Sequence, residues 1–190
     1  DVVRSRGLGD VYKRQDGNLS TLAEIPEQPS GLGWLPDGSL IIVSMLDRKL
    51  MKLKDGELSI HADMSHLTPY QCNDMVIAKD GTAYVGNFGA DNVESKIHKT
   101  CLISVTQEGE TKICADGLLF PNGTVISPDG KELIVGETFG GNLTSFQINE
   151  SGELSHREIW ARVMPLHFKI ITSIIRFLNI PLKESSSTPF

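Results

Sequence analysis

An Asp-Gly turn recurs three times in this 190-residue chain, each time seven residues after a small polar side chain. Ser30 leads Asp37-Gly38, Asn73 leads Asp80-Gly81, and Asn122 leads Asp129-Gly130. Short runs rich in Val, Ile and aromatic residues flank each turn: GLGWLPDGSLIIVSM, DMVIAKDGTAYVGNF and GTVISPDGKELIVGETF. Aspartate and glycine supply the bend of a tight hairpin, and β-branched residues suit pleated strands. A strand–turn–strand unit with a polar residue at one fixed phase implies repeats that present those residues to a common centre.

The spacing of the turns selects the architecture. Asp37, Asp80 and Asp129 are 43 and 49 residues apart, which suits one four-stranded propeller blade of ~40–50 residues. The outer hairpin of each unit is expected at 50–53 with 58–62, at 102–105 with 111–115, and at 143–148 with 156–161. Between 18 and 163 no stretch holds a helical apolar period over three turns, so the class is all-β. A β-sandwich of meander hairpins competes, but it does not account for the phasing. The expected fold is a β-propeller of which residues 18–163 form a partial domain of about three blades. A closed ring needs at least four. The chain therefore reads as a fragment with two open blade edges, which invite self-association and predict poor stability on its own.

Both ends differ from the middle. Residues 1–15 carry Arg4, Arg6, Lys13 and Arg14 without β alternation. They are set aside as a non-native extension. Residues 164–190 turn abruptly apolar and basic. Their apolar part is broken by Lys169 and Arg176 and is too short to span a bilayer, so this tail is also read as non-native.

Composition narrows the partners. A net charge of −6 argues against nucleic acid or an anionic membrane surface, both of which call for clustered Lys and Arg. Cys72, Cys101 and Cys114 are odd in number and lack CxxC spacing, so they are expected as reduced thiols of a cytoplasmic protein. The five histidines fall outside metal-binding spacings. A small neutral ligand is the expected partner.

In a propeller the innermost strands begin at one mouth of the central channel, where Ser30, Asn73 and Asn122 would converge. The second strands end at that mouth, bringing Ser44, Asn87 and Glu137 close. Amide, hydroxyl and carboxylate oxygens make a hard site suited to Ca²⁺ or Mg²⁺ more than to Zn²⁺. A cation held there would polarise an ester carbonyl and lower the pKa of bound water. The plainer role for each Asn or Asp is a bond to its own backbone in a turn. Asp74 suits either task, and Glu137 suits either the channel or a solvated strand end.

The segments PSGLGWLPDGSLIIVSM, YQCNDMVIAKDGTAYVGNFG and FPNGTVISPDGKELIVGETFGG closely resemble the gluconolactonase–regucalcin family of sugar-lactone lactonases, over roughly residues 24–161. The resemblance implies a six-bladed propeller in the full-length family, an axial divalent cation (Ca²⁺ first, with Zn²⁺ or Mg²⁺ as alternatives) and hydrolysis of a sugar lactone. By motif, Asn122 in FPNG matches the family's metal-binding asparagine. Asn73 in CNDM matches the asparagine beside the metal that contacts substrate or water. Two family carboxylates have no counterpart here. Ser30 stands about where a glutamate ligand belongs, and the aspartate that doubles as base comes from a later blade that this chain lacks. The catalytic base is therefore unassigned, and this chain alone is expected to be inactive. Gln71 stands where many members carry a substrate-contacting arginine. The substrate and channel-mouth candidates are thus Ser30, Gln71, Asp74, Asn87 and Glu137. A non-catalytic propeller that binds a small ligand or a protein at its mouth is the alternative, motivated by Ser30. A relative of the strictosidine synthases fits CNDM and FPNG less well.

Overall fold

A computed structural model describes residues 2–5, 10–15, 18–90 and 96–163, with side chains from residue 20 onward. Every regular element among them is a β-strand. The first sheet holds β1 (Val2–Ser5), β2 (Asp10–Gln15) and β3 (Asn18–Glu24). The second holds β4 (Pro29–Trp34), β5 (Leu40–Ser44), β6 (Lys49–Lys54) and β7 (Glu57–Asp63). The third holds β8 (Cys72–Ile77), β9 (Ala83–Asn87), β10 (Thr100–Val105) and β11 (Thr111–Leu118). The fourth holds β12 (Pro121–Ile126), β13 (Glu132–Glu137), β14 (Asn142–Ile148) and β15 (Leu154–Arg162). Each four-stranded sheet is an antiparallel meander in chain order, a propeller blade as the turn spacing required. The outer hairpins coincide with the expected runs.

The Asp-Gly turns are built from local chemistry. Gly38, Gly81 and Gly130 take φ of 81°, 90° and 77°, the left-handed region that a residue without Cβ enters at little cost. The aspartate before each glycine accepts from the backbone two residues on: Ser39 N at 3.0 Å, Thr82 N at 2.9 Å and Lys131 N at 3.1 Å. Reaching back, the glycine nitrogens bond Leu35 O, Ala78 O and Ser127 O. Three turns of one kind give three hairpins of one kind.

Within residues 1–15, Val2–Ser5 and Asp10–Gln15 form strands in the first sheet, with β2 paired to β3 from Asp10↔Glu24 to Gln15↔Asn18. Ladder bonds come from the backbone, so this pairing does not require apolar alternation. Residues 164–190 lie outside the described residues.

Innermost strands β4, β8 and β12 pack side by side, and β1 lies next to β4. Apolar layers fill the spaces between sheets. Leu40 and Ile42 of β5 pack with Leu22 and Ala23 of the first sheet. Ile41 and Val43 turn the other way and meet Met75, Val85 and Ile103 of the third. Tyr84 and Leu102 then meet Leu133, Val135 and Phe146 of the fourth. A strand covered on both faces needs no polar side, which is why Leu40 to Val43 of β5 are all apolar. On the fourth sheet Val125 and Trp160 remain 54% and 55% exposed. No helix of the described residues is long and apolar enough to cross a membrane.

Tyr84 ties the third sheet to the fourth. Its ring is fully buried and its hydroxyl donates to Gly152 O at 2.8 Å. Tyr84→Phe keeps the ring and strands that carbonyl, so urea denaturation should show a loss of about 1 kcal/mol.

Candidate functional site

The three innermost strands share a distortion at the phase of the polar repeat. In β4 the pairing runs Pro29↔Ser44 and then Leu32↔Ile42, so Ser30 and Gly31 face one residue of β5. In β8 it runs Cys72↔Asn87 and then Met75↔Val85, so Asn73 and Asp74 face only Gly86. In β12 the extra residue comes just after Asn122, between Asn122↔Gly136 and Val125↔Ile134. A β-bulge of this kind re-aims side chains, and three in register set apart one end of the channel.

At β8 the bulge turns two adjacent side chains toward β12. Asn73 is 4% exposed and donates from Nδ2 to Pro121 O at 3.0 Å. The Asp74 carboxylate accepts from Met75 N at 2.9 Å, and the Gly123 N–H pulls on it electrostatically. The two residues therefore bracket Asn122, one strand over. Burial raises the Asp74 carboxyl above its ordinary value, against the lowering pull of those two backbone donors. Asn122 is half-buried, and its Oδ1 accepts from the same Gly123 N at 3.0 Å. The Asn73 Oδ1 is buried and has no hydrogen-bond partner.

Close strand contact makes this arrangement possible. A Cβ on Gly86 would stand 2.4 Å from Pro121 O and 2.7 Å from Asn73 Oδ1. A Cβ on Gly31 would stand 2.7 Å from Met75 N. Ser30, half-buried, is thus carried on a strand pressed against the Asp74–Met75 backbone. Gln71 is half-buried just before β8, and its carbonyl accepts from Phe88 N at 3.0 Å.

The ends of the second strands behave differently. Asn87 is fully buried, donates from Nδ2 to Cys101 O at 2.8 Å and accepts from Thr100 Oγ1 and Gly89 N. Glu137 is 6% exposed: its Oε2 accepts from Leu119 N at 2.7 Å, and its Oε1 accepts from Asn142 Nδ2 and Thr144 Oγ1. Arg157 approaches Oε1 at 3.7 Å. Both side chains bond within or beside their own sheets, and Ser44 is buried at the matching place in β5. Of the channel-mouth candidates, Asn73, Asp74 and Asn122 come together, with Ser30 on the adjoining strand. Asn87 and Glu137 do not join them.

Two features went unread in the sequence. Gly86 supplies the close approach, and Gly123 the N–H that Asn122 Oδ1 accepts. Phe88, Phe120 and Phe139 cluster, with Phe88 and Phe120 stacked at 4.7 Å between centroids and Phe139 edge-on to Phe120. Phe120 holds φ of 57°, unusual for a bulky residue. A signal existed, since each phenylalanine adjoins a motif: GNF, FPNG and GETF. Among the described residues, no three of His, Cys, Asp and Glu gather in a way that could hold a metal. Burial first of all pushes the Cys72 and Cys114 thiols up to about 12, leaving them unreactive at neutral pH.

The family model described as SMP-30/Gluconolactonase/LRE-like region matches residues 11–168. Among curated proteins, the mouse adipocyte plasma membrane-associated protein is 23% identical over 159 residues, covering 68% of this chain and 38% of the relative. Among solved structures, a gluconolactonase from Xanthomonas campestris superposes with a TM-score of 0.69 at 23% identity, covering 85% of this chain and 58% of its own. A calcium-binding regucalcin from Agrobacterium tumefaciens gives a TM-score of 0.68 at 18% identity, with 84% and 54% covered. The chain thus spans well under two thirds of each, and at these identities the structural likeness shows the propeller fold. The match over most of the chain carries the assignment: this protein belongs to the SMP-30/gluconolactonase/LRE-like family.

Proposed function

We propose that the chain is part of a divalent-metal-dependent lactonase that hydrolyses sugar lactones, with Ca²⁺ the favoured ion and Zn²⁺ or Mg²⁺ as alternatives. The observation that carries this reading is the family match over residues 11–168. The channel mouth supplies chemistry in keeping with it. Asn73 Oδ1 is a buried acceptor without a donor, Asn122 offers a second amide oxygen, and Asp74 offers a carboxylate. A hard cation suits that donor set.

In this reading Asn73 and Asn122 hold the ion, while Ser30, Gln71 and Asp74 line the mouth that admits substrate. A divalent cation bound there polarises the lactone carbonyl and acidifies water. This chain contributes placement. The Asn73 amide nitrogen is committed to Pro121 O, which leaves its oxygen as the free end. The β8 bulge sets Asn73 and Asp74 against Gly86 alone, and Asn73 reaches across to β12 at Pro121 O. The general base belongs to a later blade by resemblance and is assigned to no residue here.

In the complete protein, hydrolysis of an aldonolactone should fall at least ~100-fold in EDTA and recover with Ca²⁺, matching several kcal/mol of lost charge stabilisation. Undiminished turnover in EDTA would end this mechanism. Ser30, standing where the family carries a carboxylate, favours one rival: a propeller that binds a sugar acid without turnover. Calorimetric binding of a sugar acid by a complete protein that never opens a lactone would select it.

A further inference from the structure

We propose that Tyr70 and His98 form an aromatic rim at the channel mouth that packs against the ring face of the sugar lactone. The proposal rests on the reading that this mouth admits such a lactone, and it gives the substrate a contact apart from the ion-holding side chains. It starts from a mismatch among the repeats. The link between the second and third strands is four residues long in the second and fourth sheets, 45–48 and 138–141. In the third sheet the same link runs from 88 to 99, twelve residues. All three links leave their second strands at the mouth, so the third sheet adds chain there. Extra chain at one end of a rigid scaffold is where binding residues concentrate.

Residues 88–90 and 96–99 of that link are pinned to the start of β8. Asn87 clasps its base: Oδ1 accepts from Gly89 N at 3.2 Å and from Thr100 Oγ1, and Nδ2 donates to Cys101 O at 2.8 Å. His98 N donates to Gly89 O at 2.8 Å, and a Cβ on Gly89 would stand 2.4 Å from His98 O. Phe88 N donates to Gln71 O at 3.0 Å, which ties the link to the residue between Tyr70 and Cys72. Tyr70 is fixed in turn by Thr68, whose Oγ1 accepts from Tyr70 N at 3.2 Å. The two rings lie nearly parallel, 9° apart in plane and 6.3 Å between centroids. Tyr70 is half-buried and His98 exposed, so the stack is braced at one ring and open to solvent at the other. Tyr70 stands three residues ahead of Asn73, which sets the rim beside the bulged end of β8. The negative face of an aromatic ring attracts the C–H side of a sugar ring, and rings already held in place lose little freedom on binding.

The test is steady-state hydrolysis of gluconolactone by the complete protein. Tyr70→Ala should raise KM about 5–10-fold with kcat within about 2-fold, the mark of lost uniform binding. Tyr70→Phe should restore the low KM, since the ring and not the hydroxyl makes the contact. His98→Ala alters an exposed side chain and should raise KM about 2–5-fold; it decides the matter if Tyr70→Ala does not fold. Unchanged KM in either alanine variant overturns the proposal, and so does a Tyr70→Phe variant as impaired as Tyr70→Ala. A Tyr70→Ala variant that melts earlier yet keeps its KM would show the stack to be a fastening for the link alone. If the complete protein opens no lactone, calorimetric titration with sodium gluconate reads the same contact. Binding weakened about 5–10-fold by Tyr70→Ala then leaves this inference standing and removes the catalytic reading. Gluconate affinity indifferent to both rings, or no binding by the wild type, removes this inference as well. Metal-dependent hydrolysis with KM indifferent to both rings removes this inference alone.

Discussion

Gly86→Ala is expected to destabilise the protein by about 3 kcal/mol, at the upper end for overpacking a tight core. The added methyl would meet Pro121 O at 2.4 Å and Asn73 Oδ1 at 2.7 Å. The first obstacle is backbone, and the Asn73 amide holds that carbonyl in place, so no side-chain rotation relieves the clash. Either β12 moves away from β9 or Asn73 leaves its position, and both loosen the third sheet from the fourth. Urea denaturation followed by circular dichroism measures the loss. A wild-type midpoint would mean that the two sheets separate freely at this end.

The second large effect is expected at Glu137. Its carboxylate answers three donors, Leu119 N, Asn142 Nδ2 and Thr144 Oγ1, from a buried position. Glu137→Ala leaves those donors without their partner, which should cost about 3 kcal/mol. Glu137→Gln should recover only part of this, because an amide turns one acceptor into a donor facing a donor. The readout separates the internal role from a role in the channel. Falling stability with Ca²⁺ binding intact per folded molecule marks the internal network. Lost Ca²⁺ binding at unchanged stability would instead place Glu137 at the mouth.

These two residues also show where sequence reading stops. The Asp-Gly turns were legible because their chemistry is local, with partners within a few positions, as in Asp37 with Ser39. Blade length followed from turn spacing, and the outer hairpins followed from apolar runs. Glu137 was a different matter. Its position at the end of a second strand was legible, but its partners lie 5 to 18 residues away on other segments. Asn87 likewise closes on Thr100 and Cys101, across its own sheet.

The sequence alone determined the repeating hairpin, the all-β class and the recurrence of Ser30, Asn73 and Asn122 at one phase. Each depends on interactions between near neighbours in the chain. Only the tertiary structure decided which of those polar groups face one another. A bulge is defined by the partner strand's register, and Asn73 finds Pro121 48 residues away. Alternation along one strand cannot say that its side chain and that of Asp74 both turn to β12. The close approach at Gly86 and the Asn73–Pro121 bond bring the ends of β8 and β12, and with them Asn73, Asp74 and Asn122, side by side.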